Sequence, residues 1–562
     1  MVIELAWRKF DRPRTGEYMD VTNRKREQGL LATISIGFLI WSSIFIYRSS
    51  SIAIDGKRYF CLFDDAMISM RYASNLSNGL GLVWNAGERV EGYTNLLMTL
   101  LMSVATSIFS KSNAALLMQI VGCGFMLTIA LISMRIADHM AQDRSEQERT
   151  FFRVLTFGCT LAYYPLSYWS LMGMETGLLT LLVLWAVLSA FDYLKDREPV
   201  SLLFLTISLG LAFLTRNDSL IFAILIWSYM IWERAEFRTN PKSLFHLLAV
   251  ICLYVLFMAG QVVFRVLYYG EWVPNTYTLK LSGMPLLARL GNGIGFIWPL
   301  LLEIIIILLF SSFDLIKNGS KRKLLFLGIF LSTLSYQVYI GGEPWNYWRI
   351  LSPAMPLLMI LFIGGVDTVV HAQSDTNTTL CSLGHFRLIK NVSERTLILS
   401  LTFIGLLVAN MGFLPEILFL SKPYSTQDNA NNINTSLAIQ QLTTKDASVG
   451  VYWAGAIPYF TDRKAIDFLG KSDKYISHLP PDLSGAIAAD GMSSVPGHNK
   501  YDLYYSIITL RPTYVQGFVW GTQDLSQWLE TKYVSVIYQG VRLFILKDSP
   551  AVLWDNLNVA AD

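Results

Sequence analysis

The chain is poor in charge. Only 15% of its 562 residues are Asp, Glu, Lys or Arg, against 53% hydrophobic, where a soluble chain carries about a quarter charged residues. That shortage, with a mean hydropathy of +0.41, excludes an ordinary soluble globule and leaves a polytopic membrane protein. Cysteine is scarce too: Cys61, Cys123, Cys159, Cys252 and Cys381 are scattered, mostly inside apolar segments. No two have the spacing of metal ligands, so neither a disulfide framework nor a zinc site is expected. There is no internal repeat and no low-complexity tract. The net charge of +3 is too small to suggest a nucleic-acid partner. No small-residue cleavage site follows the first apolar run, so a cleavable signal peptide is not expected.

Long apolar runs dominate what is present. Residues 1–29 are polar and basic, with Arg8, Lys9, Arg12, Arg14, Arg24, Lys25 and Arg26, which places this segment in the cytoplasm. Runs of spanning length fall at about 30–47, 113–137, 151–167, 174–193, 200–215, 219–232, 245–268, 290–312, 323–340, 351–370 and 396–419. The stretch 94–110 is apolar as well. Counted as a span, it would put Arg144 and Arg149 outside and reverse every later loop. Read as a juxtamembrane helix at the outer surface, it leaves eleven spans. Lys195, Arg197, Arg234, Arg238, Lys242, Lys317, Lys321, Arg322, Lys323, Arg387, Lys390 and Arg395 then face the cytoplasm with the 138–150 loop, as the positive-inside rule prefers. Residues 420–562 fall outside.

On that topology the polar clusters all face outward. They are Asp64-Asp65 in the first outer loop (48–112), the run Arg89–Asn95, Met172–Thr176, Thr215–Asp218, Tyr268–Thr276 with Lys280, and Gly341–Arg349. One side of the membrane looks like a site and the other like plain connections. The last segment reads as a small α/β domain. A helix is expected near 430–444, strands at 449–453 and 465–470, a turn-rich 454–458 between them, and a hairpin pairing 533–538 with 541–546 around Gln539-Gly540.

Paired carboxylates at a membrane surface are costly unless they do chemistry, bind an ion or complete a salt bridge. A sugar transfer needs a carboxylate to take the acceptor hydroxyl proton, and positive charge or a metal on the departing phosphate. Asp64 or Asp65 could supply the first, with Asp64 favoured as base; Arg71, Arg216, Lys280 and Arg349 could supply the second. Blander readings stand beside these. Asp65 is a natural N-cap for a helix over 66–75, and Asp218 could pair with Arg216 in a simple turn. Glu175 could sit at a helix start for its dipole, and the turn at Asn275 is a structural candidate. Trp345, Tyr347 and Trp348 fit either sugar stacking or an interfacial belt. His498, alone in its loop, is given no role.

As an ordered set, these residues resemble the GT-C glycosyltransferases. Asp64-Asp65-Ala66 with Ser69–Ala73, Asn78–Asn85, Gly87–Asn95, Leu214-Thr215-Arg216, Tyr269-Gly270 with Pro274-Asn275-Thr276, and Gly341-Gly342 with Arg349 resemble one branch more particularly. That branch contains the terminal arabinofuranosyltransferases of arabinogalactan assembly. The likeness weakens after residue 420, where Ala465–Gly470 matches best. Glu343 is a departure, standing where the branch leads one to expect Asp.

The resemblance implies a GT-C-like bundle at 30–419 with about eleven transmembrane helices, and an extracytoplasmic α/β domain at 420–562. It implies inverting transfer of a sugar from a polyprenyl phosphate to an envelope glycan, lipid or protein acceptor, in the plasma membrane. Asp64 and Asp65 would be the base and its neighbour, or share a divalent cation; no other cofactor is implied. Arg71, Glu91, Tyr93, Asn95, Glu175, Arg216, Asn275, Lys280, Glu343 and Arg349 would contact substrate. The alternatives are a transporter, which predicts inverted repeats and broken polar helices at the midplane, and an envelope-assembly scaffold, which needs far fewer spans.

Overall fold

The computed structural model of the chain describes residues 21–234, 240–345, 347–376, 393–483, 497–517 and 525–558. Arg8, Lys9, Arg12, Arg14, Arg238, Cys381, Arg387 and Lys390 lie outside them. The described residues between 21 and 417 build a bundle of helices, the form in which an apolar chain satisfies its own backbone without water. Among the described residues six helices are long and apolar enough to cross a membrane: Asn23–Ser49, Lys111–Met140, Thr176–Asp196, Pro241–Tyr269, Lys321–Ile340 and Ser352–Ala372. Two bent pairs, Asn275–Leu281 with Leu286–Glu303 and Glu394–Ala409 with Met411–Ile417, make eight if each is one span.

Every expected span coincides with a helix, but several differ in length or continuity. Glu146–Ala162, Pro199–Thr215 and Leu220–Glu233 have 17, 17 and 14 residues, about 21–26 Å at 1.5 Å per residue, short of a ~30 Å hydrocarbon core. The run at 151–167 stops at Tyr163, where Pro165 begins a new short helix, Tyr164–Leu171. The run at 290–312 breaks at Ile304, shortly after the in-helix Pro299, whose ring removes a backbone hydrogen bond. Burial sorts the helices. In the most apolar 18 residues of Thr176–Asp196 and Ser352–Ala372, 78% and 83% of the residues are buried, against 17% in Pro241–Tyr269. The apolar stretch 94–110 forms the 13-residue helix Leu96–Ile108, about 20 Å long and too short to span alone.

After the first helix come two short antiparallel strands, β1 (Ser51–Ile52) and β2 (Arg58–Tyr59). Helix Asp64–Ser77 follows, with Phe63 at its N-cap and both aspartates in its first turn. Asp65 is therefore not the cap that its position suggested. The helix is nearly all buried, packed between Leu96–Ile108 and the C-terminal domain.

The C-terminal domain opens with helix Thr426–Leu442 and carries a mixed five-stranded sheet in the order β4-β3-β5-β7-β6. Its strands are β3 (Ser448–Val451), β4 (Lys464–Asp467), β5 (Tyr514–Val515), β6 (Tyr533–Tyr538) and β7 (Val541–Leu546). Strand β3 runs parallel to both of its neighbours, β4 and β5. The terminal hairpin turns at Gln539 and Gly540, both at positive φ (48° and 77°), the two-residue turn whose twist matches its strands. Where a loop was expected at 454–458, the chain enters a short helix, Ala456–Thr461.

That helix docks the domain on the bundle. Asp64 accepts hydrogen bonds from Ala456 N (2.9 Å) and Gly455 N (3.2 Å). Arg71 reaches Asp462 (3.0 Å), and Asn85 makes a strand-like pair of bonds to Ala465. A Cβ on Gly455 would stand 2.0 Å from the Asp64 carbonyl oxygen. Gly455→Ala is therefore expected to destabilise the protein by about 1–3 kcal/mol, the usual cost of overpacking, and to lower its thermal transition in detergent.

Candidate functional site

At the covered end of the bundle lies a cavity of about 170 Å³, lined by residues from helix Asp64–Ser77, the 92–95 and 216–218 segments, helix Asn275–Leu281, the 344–350 loop and the C-terminal domain. Of the two adjacent aspartates, only Asp65 lines it. Asp64 faces the other way, its carboxylate taken up by the Gly455 and Ala456 amides. Burial pushes the Asp64 carboxyl up to about 6, against those amides. The preference for Asp64 as base does not match this placement. Helical geometry explains it, since adjacent residues lie about 100° apart around a helix.

Asp65 is clamped between two cations. Its Oδ1 accepts from Lys471 Nζ (2.7 Å) and its Oδ2 from an Arg349 guanidinium nitrogen (3.1 Å). Burial opposes its charge, but Lys471 and Arg349 outweigh that and hold the carboxyl well below the usual range. Arg349 also pairs with the fully buried Glu343. Arg349 Nε and Glu343 Oε2 have no hydrogen-bond partner among the described residues. The longer side chain at 343 thus serves the arginine from behind, and Glu343 does not line the cavity.

A second charged group faces the first. Arg216 binds Glu175 (2.8 Å) and Asp218 through two nitrogens (3.0 and 2.5 Å). Asn95 links this group to helix Asp64–Ser77, donating to Glu175 (3.2 Å) and accepting from Ser69 (2.9 Å). Arg216 thus pairs with Asp218, as the turn suggested, and also lines the cavity. Lys280 also lines it, in the field of Glu343, Arg349, Asp65 and Arg216. It makes no hydrogen bond or ion pair among the described residues.

Tyr93 lines the cavity with its hydroxyl 3.1 Å from Tyr269. Three sequence candidates lie elsewhere. Arg71 is a latch to Asp462, Trp84 O and Arg463 O. Glu91 is buried against Arg265, which in turn reaches Asn217 (3.0 Å). Asn275 donates to the carbonyls of Gly470 and Lys471 (both 2.9 Å) and accepts from Ser477 (2.6 Å). These support the wall without reaching the cavity. Of the aromatic trio, only Trp345 lines it, while Tyr347 turns to Glu416 and Trp348 to Glu303.

Sequence reasoning missed Lys471, and gave His498 no role although it lines the cavity beside Trp345. It also missed Arg265, whose signal was a lone arginine inside an apolar run. The donor set does not fit a cation shared by Asp64 and Asp65. One carboxylate faces backbone amides, the other faces Lys471 and Arg349, and no three His, Cys, Asp or Glu among the described residues cluster as ligands.

Among solved structures, ArnT from Cupriavidus metallidurans in the apo state superposes at a TM-score of 0.51 with 11% identity, over 91% of this chain and 97% of that one. The same enzyme bound to undecaprenyl phosphate gives 0.53 and 11%, over 92% and 98%. The bundle has a GT-C fold. At that identity the likeness is one of fold alone. The oligosaccharyltransferase of Archaeoglobus fulgidus in its apo form aligns more loosely, at 0.47 with 10% identity over 94% of this chain and 75% of that one. Residues 95–259 match the family described as dolichyl-phosphate-mannose-protein mannosyltransferase, and residues 423–544 match a domain of unknown function. No curated protein matches the chain in sequence.

Proposed function

We propose that the protein is a membrane glycosyltransferase that moves a sugar from a polyprenyl-phosphate carrier to a hydroxyl of an envelope glycan, lipid or protein. The observation that carries this is Asp65, the cavity carboxylate not bound to Arg216, set among Lys280, Arg349 and Lys471. The GT-C fold, the family matched by residues 95–259 and the undecaprenyl phosphate named for the ArnT structure all support a lipid-phosphate donor. In the proposed reaction the acceptor oxygen attacks the anomeric carbon as the carbon–oxygen bond to phosphate breaks, inverting the centre. The hydroxyl proton passes to Asp65. The bonding electrons leave with the polyprenyl phosphate, whose charge Lys280 and Arg349 offset. The site faces the outer surface in this reading, with residues 1–29 in the cytoplasm.

The sequence motifs make a terminal arabinofuranose the first sugar to test. Membranes holding the protein should transfer label from a polyprenyl-phosphate arabinofuranose to envelope glycan; if no polyprenyl-phosphate sugar serves as donor, the proposal fails. Lys280→Met is expected to raise the donor KM by roughly tenfold to a hundredfold, the worth of a charge-assisted contact of about 1.5–3 kcal/mol, with a smaller change in kcat. A donor titration reads this directly.

A further inference from the structure

Lys471 comes from the C-terminal domain, yet its ammonium lies in the cavity wall on the bundle's own carboxylate. Its backbone is pinned. The loop after β4 is shaped by Asp467, which accepts from Leu469 N (3.0 Å) and Ser472 N (2.7 Å). Asn275 holds the Gly470 and Lys471 carbonyls from the bundle side. Gly92 presses on the same loop so closely that a Cβ there would lie 2.9 Å from Lys471 O. What can move is the four-carbon side chain, and its ammonium has one partner among the described residues, Asp65.

The charges around it are unevenly shared. Two carboxylates, Glu175 and Asp218, gather on Arg216. Lys280, Arg349 and Lys471 are left with Asp65 in the cavity and Glu343 behind it. On this side three cations meet two carboxylates. The Lys280 side chain lines the cavity with no hydrogen bond or ion pair among the described residues. An anion with several acceptor oxygens fits the three cations that converge on this cavity, and a phosphate is such an anion.

We infer that Lys471 is a ligand for the donor phosphate, contributed by the C-terminal domain, and that it masks the base Asp65 until that phosphate takes it over. This rests on the transfer reading above. Both Asp65 oxygens are occupied by cations, so the carboxylate is a weak proton acceptor as it stands. A phosphate drawing Lys471 and Arg349 toward itself frees Asp65 at the moment an acceptor needs it. Competition of this kind is reciprocal: what the phosphate takes from Asp65, Asp65 withholds from the phosphate.

The reciprocity gives a sign that a purely structural lysine would not. The probe is undecaprenyl phosphate without sugar, titrated onto the purified full-length protein in nanodiscs. Asp65→Asn, which removes the competitor, is expected to bind it about tenfold more tightly than wild type, within the usual span of site-to-site coupling. Lys471→Met is expected to bind it more weakly, Lys471→Arg to restore binding, and the Asp65→Asn gain to shrink in the Lys471→Met background. Unchanged or weaker binding by Asp65→Asn, or wild-type binding by Lys471→Met, overturns the inference while leaving the transfer reading standing. Failure of the folded wild type to bind the probe at all overturns both.

Discussion

Asp65→Asn slows sugar transfer by at least roughly a hundredfold, the lower end of what a positioned general base contributes, with no loss of donor affinity. Asparagine keeps the shape of the side chain and removes its ability to take a proton, so the fall is expected in kcat. Asp64→Asn has a different signature. Its amide nitrogen cannot accept, so Gly455 N and Ala456 N cannot both keep their bonds. The domain contact loosens, at a cost of about 1–3 kcal/mol for a buried donor left unpaired. Transfer falls less, and the thermal transition falls with it. Steady-state kinetics and melting of the two variants side by side check the assignment. An inactive Asp64→Asn with an unchanged melting temperature, beside an active Asp65→Asn, would return the base to Asp64.

The contrast between these neighbours marks where the sequence stops being legible. Their presence in the first polar loop was readable, because acids beside apolar runs are conspicuous. Their division of labour was not, since the partners of Asp64 lie 391 and 392 residues away and no local pattern announces them. Lys471 escaped for the same reason. The α/β order of the C-terminal segment was visible in alternating β-branched and aromatic residues, down to the Gln539-Gly540 turn. The helix at Ala456–Thr461 was not, because Gly455 and Pro458 read as turn residues until Asp64 is seen holding its first amides. Arg216, Glu175, Lys280 and Arg349 were picked out as polar residues at span ends, and the fold brings all four to one cavity. Arg71, Glu91 and Asn275 carried the same polar signal, yet each is consumed in holding the walls together. Polarity at a span end identifies a constrained residue without saying whether the constraint is a ligand or a neighbour.

Arg349→Met tests that distinction hardest, because Arg349 is both. It lies buried between Asp65 and Glu343, its guanidinium 5.9 Å from the Trp169 ring. It follows Tyr347 and Trp348, non-glycine residues at positive φ (72° and 54°), so its position depends on a costly backbone path. Removing the cation leaves the buried Glu343 carboxylate without its ion-pair partner, which costs about 3–5 kcal/mol. Transfer should fall by roughly 10²–10³, the loss seen when one charge-stabilising donor is taken from a reacting centre. Adding Glu343→Gln to Arg349→Met removes the stranded negative charge, and most of the lost stability is expected to return. Transfer is not, because the phosphate still lacks its guanidinium. Arg349→Lys falls between, keeping the charge but not the fork that reaches Asp65 and Glu343 together. Thermal unfolding and single-turnover transfer of the three variants separate the two roles. Recovery of transfer along with stability in the double variant would make Arg349 a structural residue only, and would leave Lys280 and Lys471 as the cations that meet the phosphate.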